Sequence, residues 1–302
     1  MELDSPKVAV LLAAFNGMRW LETQVVSILG QQGVAVVVYI SVDQSTDETL
    51  TWCQDLASKD PRVIVLPYTG ERFGGAAKNF FRLIRDVDFR SFDYVAYADQ
   101  DDIYCDNKYR AAHEAILKNR CAAYSSNVTA VWPDGRRVLI VKSQPQRKYD
   151  FLFEAGGPGC SYVLRVNDAL EFKNFLLVNW SAANEVSLHD WLTYAWFRSS
   201  GRMWFIDERS YMLYRQHGGN QLGVNHGAAS IKSRLELLRS GWYRGEISKI
   251  SKLVGHNVPG LPFRILDGAI LPKRFLIRNY KEFRRSRRDQ LAFGILALLG
   301  LI

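Results

Sequence analysis

Three carboxylates fall within four residues in the segment Tyr97-Ala98-Asp99-Gln100-Asp101-Asp102-Ile103. They follow an apolar run, Tyr94-Val95-Ala96-Tyr97-Ala98, that reads as a buried strand. Side chains at the carboxyl end of such a strand stand where open α/β sheets bind ligands. Like charges this close repel, so their grouping asks for a counter-charge. A divalent cation on a substrate diphosphate supplies one, because hard oxygen ligands suit Mg2+ or Mn2+. The competing reading is a solvated turn whose acids cap the next helix, with Asp106 as the cap. The segment alone leaves both open.

The elements that must position these acids are legible as runs and periods. Lys7 to Ala14 is almost wholly apolar and fits a central parallel strand covered on both faces. Phe15-Asn16-Gly17 breaks it. Trp20, Leu21, Val25, Ile28 and Leu29 then recur at helical spacing, with Gly30 and Gly33 at the end. A second strand, Ala35 to Val42, runs into Asp43-Gln44-Ser45-Thr46-Asp47-Glu48. Ser45 with Glu48 reads as a capping box that opens a helix. A third strand covers Val63 to Leu66. Gly70 to Gly75 is a loop, and Ala76 to Arg85 a helix with Phe80, Phe81 and Ile84 on one side. The acid-bearing strand and a helix from about Asp106 to Lys118 follow. This alternation predicts a doubly wound, mostly parallel α/β sheet.

The pattern then changes. Val128 to Val131 and Arg137 to Val141, around Pro133-Asp134-Gly135, predict a hairpin. Gly156-Gly157-Pro158-Gly159 is a loop before a short strand, Ser161 to Arg165. A helix begins near His189-Asp190-Trp191. Short strands are expected at Met203 to Ile206 and Tyr211 to Arg215, and Gly218-Gly219-Asn220 closes this part.

The chain has 302 residues, 48% of them hydrophobic, enough for one large domain with an appendage. A formal net charge of +8 points to anionic partners such as a nucleotide, a phospholipid surface or a nucleic acid. Cys53, Cys105, Cys121 and Cys160 contain no CxxC pair, so neither a disulfide framework nor a zinc site is expected. The first residues do not resemble a signal peptide, and no apolar run reaches membrane-spanning length. The expected compartment is the cytoplasm or its membrane face. Nucleic-acid binding has no reading motif behind it, and the basic residues collect away from aromatic ones.

Six short segments, taken in order, resemble the inverting, GT-A-fold glycosyltransferases of family 2, and among these the bacterial rhamnosyltransferases of cell-surface polysaccharide. They are Leu11-Leu12-Ala13-Ala14-Phe15-Asn16-Gly17, Ser41-Val42-Asp43-Gln44-Ser45-Thr46-Asp47, Gly74-Gly75-Ala76-Ala77-Lys78-Asn79-Phe80, Ala98-Asp99-Gln100-Asp101-Asp102, His189-Asp190-Trp191 and Tyr214-Arg215-Gln216-His217-Gly218-Gly219-Asn220. Each is individually weak; their order and spacing carry the likeness. Two departures stand out: Ala14 where the family usually has Thr, and Val42 where it often has a second Asp.

The resemblance implies a Rossmann-like sheet and a metal-dependent hexosyltransferase that uses a nucleotide-sugar donor. Asp43 would accept the N3–H of uracil or thymine, with Ala14 and Asn16 nearby. Lys78 and Asn79 would touch base or diphosphate; an exposed helix lysine and a cap asparagine are the alternatives. Asp99 would face the ribose, and Asp101 with His217 would bind Mn2+ or Mg2+. Asp102 would support them. Asp190 would be the base that takes the acceptor proton, and His189 a structural neighbour. The implied donor is dTDP-L-rhamnose, with a UDP-hexose as the alternative. The implied acceptor is an oligosaccharide or lipid-linked saccharide of lipopolysaccharide synthesis. A non-catalytic glycan- or nucleic-acid-binding protein is the reading from another class.

The division expected is a catalytic domain over residues 1–226 and a basic, amphipathic helical region over 227–302. Ile231, Leu235 and Leu238 share a helical face. Lys273, Arg274, Arg278, Lys281, Arg284, Arg285, Arg287 and Arg288 precede an apolar stretch. That combination fits a peripheral anchor on the cytoplasmic face of the inner membrane, with Phe293, Ile295, Leu296, Leu298 and Leu299 entering lipid. A helix packed on the core is the alternative.

Overall fold

The computed structural model describes residues 5–218, 236–258, 260–261 and 271–302. Gly219, Asn220, Ile231, Leu235 and the expected boundary at 226 lie outside them.

β1 (Lys7–Ala14) is the hub of the sheet. Its alternate side chains are buried on opposite faces: Ala9 and Leu11 on one, Val8, Val10 and Leu12 on the other. This two-sided burial explains the continuous apolar run. β2 (Ala35–Val42) pairs with β1 in parallel from Lys7↔Ala35 to Ala14↔Val42. β4 (Tyr94–Asp99) pairs with its other edge up to Ala13↔Asp99. β3 (Val63–Val65) continues the parallel half beyond β2. Three carboxyl ends therefore stop level, at one rim.

Between these strands lie α1 (Leu21–Leu29), α2 (Thr49–Lys59) and α3 (Ala76–Asp86). β5 (Ile103–Tyr104) and α4 (Lys108–Asn119) follow the acid segment. The remaining strands are β6 (Ala123–Val131), β7 (Arg137–Ile140), β8 (Val163–Arg165) and β9 (Trp204–Arg215). The sheet runs β3-β2-β1-β4-β8-β6-β9-β5, with β7 on β6. Beyond β4 it is mixed: β8 is antiparallel to β4 and β6, whereas β9 is parallel to β6. The β6–β7 hairpin stands as expected.

Three local expectations are corrected. The two short strands at 203–215 form one long strand, β9, whose register against β6 shifts around Asn127. No side chain of the Ser45/Glu48 pair caps α2, because the Ser45 hydroxyl is taken by the Asp43 carbonyl and the Asn16 amide. Asp47 accepts from the Thr49 amide in its place. Asp106 does not cap α4, which starts at Lys108 after Asn107.

α5 (Val166–Val178), α6 (Trp180–Ala183) and α7 (His189–Ser199) cover the α3 side of the sheet. α8 (Trp242–Val254), α9 (Lys273–Arg278) and α10 (Arg287–Leu298) pack onto the same side. One apolar cluster runs from Leu11 and Phe80 through Phe172 and Phe197 to Ile250, Leu276 and Phe293. A buried polar seam reinforces it. Asp150 takes Arg198 at 3.1 Å and Arg285 at 3.5 Å, and the Arg285 amide donates to Glu154 at 2.6 Å. The C-terminal helices thus share the core of the sheet. Of the expected lipid-entering residues, Phe293 is buried and Leu296 packs against the core.

Candidate active site

The level strand ends turn local sequence into a rim. Asn16 follows β1 with φ +45°, a left-handed conformation that asparagine tolerates better than most residues. Its Oδ1 accepts the Thr46 amide at 2.7 Å, and its own amide donates to Ser45 Oγ at 3.0 Å, lacing the β1 and β2 loops together. Gln100 laces β1 to β4: it accepts the Phe15 amide and donates to the Phe15 carbonyl, both at 2.8 Å. Ala14 is buried, and its carbonyl accepts the Asp43 amide at 2.8 Å.

Asp43 is buried just past β2. Its Oδ1 accepts the amides of Gln44 (2.7 Å) and Phe73 (2.8 Å), and Oδ2 accepts Gly74 (3.3 Å). The carboxylate therefore folds the 70–75 loop over the rim, and Oδ2 retains acceptor capacity. Lys78 is exposed on the first turn of α3. Asn79 is buried, with Nδ2 donating to the Ser41 carbonyl at 3.0 Å, so it ties α3 to β2.

β5 decides where the acid segment goes. Its antiparallel pairing with β9, Ile103↔Leu213 and Tyr104↔Met212, sets Asp101 against the end of β9. Asp101 Oδ2 lies 2.8 Å from His217 Nε2. Trp20 stacks on the His217 ring at 5.4 Å, and the Arg215 guanidinium lies 4.8 Å from the Trp20 centroid. Asp99 is half-buried at the end of β4; burial, then Asp101 and Asp190, raise its pKa. Asp102 is fully buried beside the Cys160 thiol and the Arg215 backbone. Burial, then Asp101 and Asp99, hold its carboxyl well above the usual range. Below it, burial depresses Lys108 to about 8, and its ammonium sits 3.9 Å from the Tyr104 ring centroid.

Asp190 lies in the first turn of α7, not at its cap, which is Leu188. Its Oδ1 accepts the Trp191 amide at 2.8 Å. Burial pushes its pKa up to about 6 against that bond and the attraction of Lys142. The Gly156–Gly159 loop packs on this turn so closely that a Cβ on Gly159 would stand 2.6 Å from His189 Nε2 and 3.1 Å from Asp190 Cβ. His189 stacks on Phe80 at 3.8 Å, and burial lowers its pKa to about 3, so it is a neutral packing residue. Trp191 is core, its indole donating to the Phe151 carbonyl at 2.9 Å.

Residues 9–159, half of the chain, match the family Glycosyl transferase family 2. The chain is also 38% identical over 290 residues to the dTDP-rhamnosyl transferase RfbG of Shigella flexneri, covering 96% of this chain and 100% of that one. The chain belongs to glycosyltransferase family 2. It is 21% identical over 150 residues to an uncharacterized glycosyltransferase of Haemophilus influenzae, covering 50% and 57% of the two chains. Among solved structures, S. aureus TarS 1-349 in complex with UDP-GlcNAc is similar in fold, at TM-score 0.58 and 14% identity. That likeness covers 98% of this chain and 80% of TarS 1-349. The GT-A architecture expected from sequence is therefore that of the glycosyltransferase, with helices appended at the C-terminus.

Two donor sets occur at the rim of this family 2 enzyme. Asp101 and His217 present oxygen and imidazole nitrogen to one point. Ligand atoms of Asp99, Asp102 and Cys160 lie within 4.8 Å of one another. The first set fits Mn2+ or Mg2+. In the second, burial raises the pKa of both the Cys160 thiol and the Asp102 carboxyl. Sequence reasoning missed Gln100, Trp20 and Lys142. Only Gln100 carried a signal, its place between the acids.

Proposed function

We propose that this glycosyltransferase moves L-rhamnose from dTDP-L-rhamnose to a saccharide acceptor, with inversion, in the assembly of lipopolysaccharide O-antigen. The observation that carries the donor assignment is the near-full-length likeness to the dTDP-rhamnosyl transferase RfbG. The rim geometry supports the chemistry. Asp43, through Oδ2, takes the N3–H of thymine, with Ala14, Asn16 and Lys78 around the nucleotide. Asp99 faces the ribose. Asp101 and His217 would hold Mn2+ or Mg2+, which when bound offsets charge on the leaving diphosphate.

Asp190 takes the proton of the acceptor hydroxyl as that oxygen bonds to the anomeric carbon from the face opposite the departing dTDP. A pKa near 6 suits this role, since the carboxylate is ionised at neutral pH yet basic enough to receive the proton. The reading places the enzyme in the cytoplasm, at the inner face of the inner membrane, where a lipid-linked acceptor would be presented. No helix among the described residues is long and apolar enough to cross a membrane. The test is a donor screen with Mn2+ and saccharide acceptors, read by mass spectrometry. Transfer from dTDP-L-rhamnose supports the assignment, and transfer from a UDP-hexose alone overturns it.

A further inference from the structure

α10 is apolar on both of its sides. Phe293 and Ala297 are buried in the core cluster, with Leu296 against it. On the outward side Leu291, Ile295, Leu298 and Leu299 keep 61%, 58%, 57% and 67% of their surface exposed. Offsets of four, seven and eight residues put all four on one stripe. A helix lying on a core usually shows polar side chains to water, so this stripe calls for a cover.

Its surroundings say which. Arg287 and Arg288, exposed, precede Leu291 by four and three residues, and so flank the stripe at its N-terminal end. Lys273, Arg274 and Arg278 on the adjacent α9, and Lys281 after it, are exposed as well. The acids of this region already have partners: Glu282 accepts the Lys148 amide at 3.2 Å, and the partly exposed Asp289 lies 3.7 Å from Arg284. A second copy docking here through a twofold axis would bring these cations against their own counterparts. A bilayer with anionic headgroups answers both the stripe and the charge.

We propose that the outward face of α10, with the surrounding arginines and lysines, docks this enzyme on an anionic phospholipid bilayer. This deepens the membrane-face part of the function proposed above. The docking helix is tied to the catalytic one: Arg285, two residues before α10, lies 3.3 Å from the Tyr194 hydroxyl of α7, the helix whose first turn carries Asp190.

The test is flotation of the full chain with vesicles of phosphatidylglycerol and phosphatidylcholine, against phosphatidylcholine alone. Binding is expected with the anionic vesicles only, weakening as salt rises. It should fall about tenfold or more in Ile295→Gln/Leu298→Gln and in Arg287→Gln/Arg288→Gln. Both variants should keep the wild-type thermal shift with dTDP, which shows that they fold. Wild-type-like flotation of both variants overturns the proposal. So does a concentration-dependent dimer, broken by Ile295→Gln/Leu298→Gln, in a protein that does not float. Flotation by a chain that gives no dTDP shift supports docking and counts against the donor assignment alone.

Discussion

Asp190→Asn separates a catalytic aspartate from a structural one, because the two predict opposite changes in stability. Burial raises the Asp190 pKa from 3.8 to about 6, so the folded state holds this proton more tightly than the unfolded chain. The stability this group contributes is full below pH 3.8 and is lost as pH rises through 6. At about 1.36 kcal/mol per pKa unit, ionised Asp190 costs the fold about 3 kcal/mol at pH 8. Asparagine removes that cost and can still accept the Trp191 amide through its Oδ1. The variant should melt about 5 °C higher at pH 8 and unchanged at pH 3. Turnover should fall roughly 10²- to 10⁴-fold, the usual worth of a general base. An aspartate kept only for the helix dipole would lose stability on neutralisation. Differential scanning calorimetry at both pH values, beside a transfer assay, reads all three quantities. A destabilised variant, or one keeping turnover within about tenfold of wild type, refutes the reasoning.

Lys142→Met removes the cation that attracts ionised Asp190, so the acidic limb of the pH–rate profile, near 6 in the wild type, should move upward. Lys142→Arg should leave it in place. Asp101→Ala and His217→Ala should each abolish the extra thermal shift that Mn2+ adds to dTDP, while the shift with dTDP alone survives. Asn16→Ala loses the bond to the Thr46 amide and places an unsuited residue at φ +45°, so urea unfolding should show a loss of about 2 kcal/mol.

Sequence carried the parallel half of the fold because β1, β2 and β4 are buried on both faces and write that burial as unbroken apolar runs. β9 was harder. Asp207, Glu208 and Arg209 interrupt its pattern, yet they form a bulge in which Asp207 Oδ1 accepts the Arg209 amide at 2.9 Å, and the strand continues past them. The site was legible as residue types but not as partnerships. Nothing local says that a two-residue strand, Ile103–Tyr104, pairs with β9 and so delivers Asp101 to His217. Nor does spacing show Asn79 turning inward to Ser41, or Ser45 spent on Asn16 instead of α2. In α10 the apolar residues were evident. Which of them face the core depends on where Phe283 and Phe153 pack, and these ring contacts span more than a hundred residues of sequence.

The most direct measurement is a single-vessel assay of purified enzyme with dTDP-L-rhamnose, Mn2+ and a lipid-linked saccharide acceptor. Released dTDP and the mass and anomeric configuration of the product are followed together. One rhamnose gained per dTDP released is expected, with inverted configuration, and neither product from Asp190→Asn. Retained configuration, or equal transfer by that variant, would contradict it.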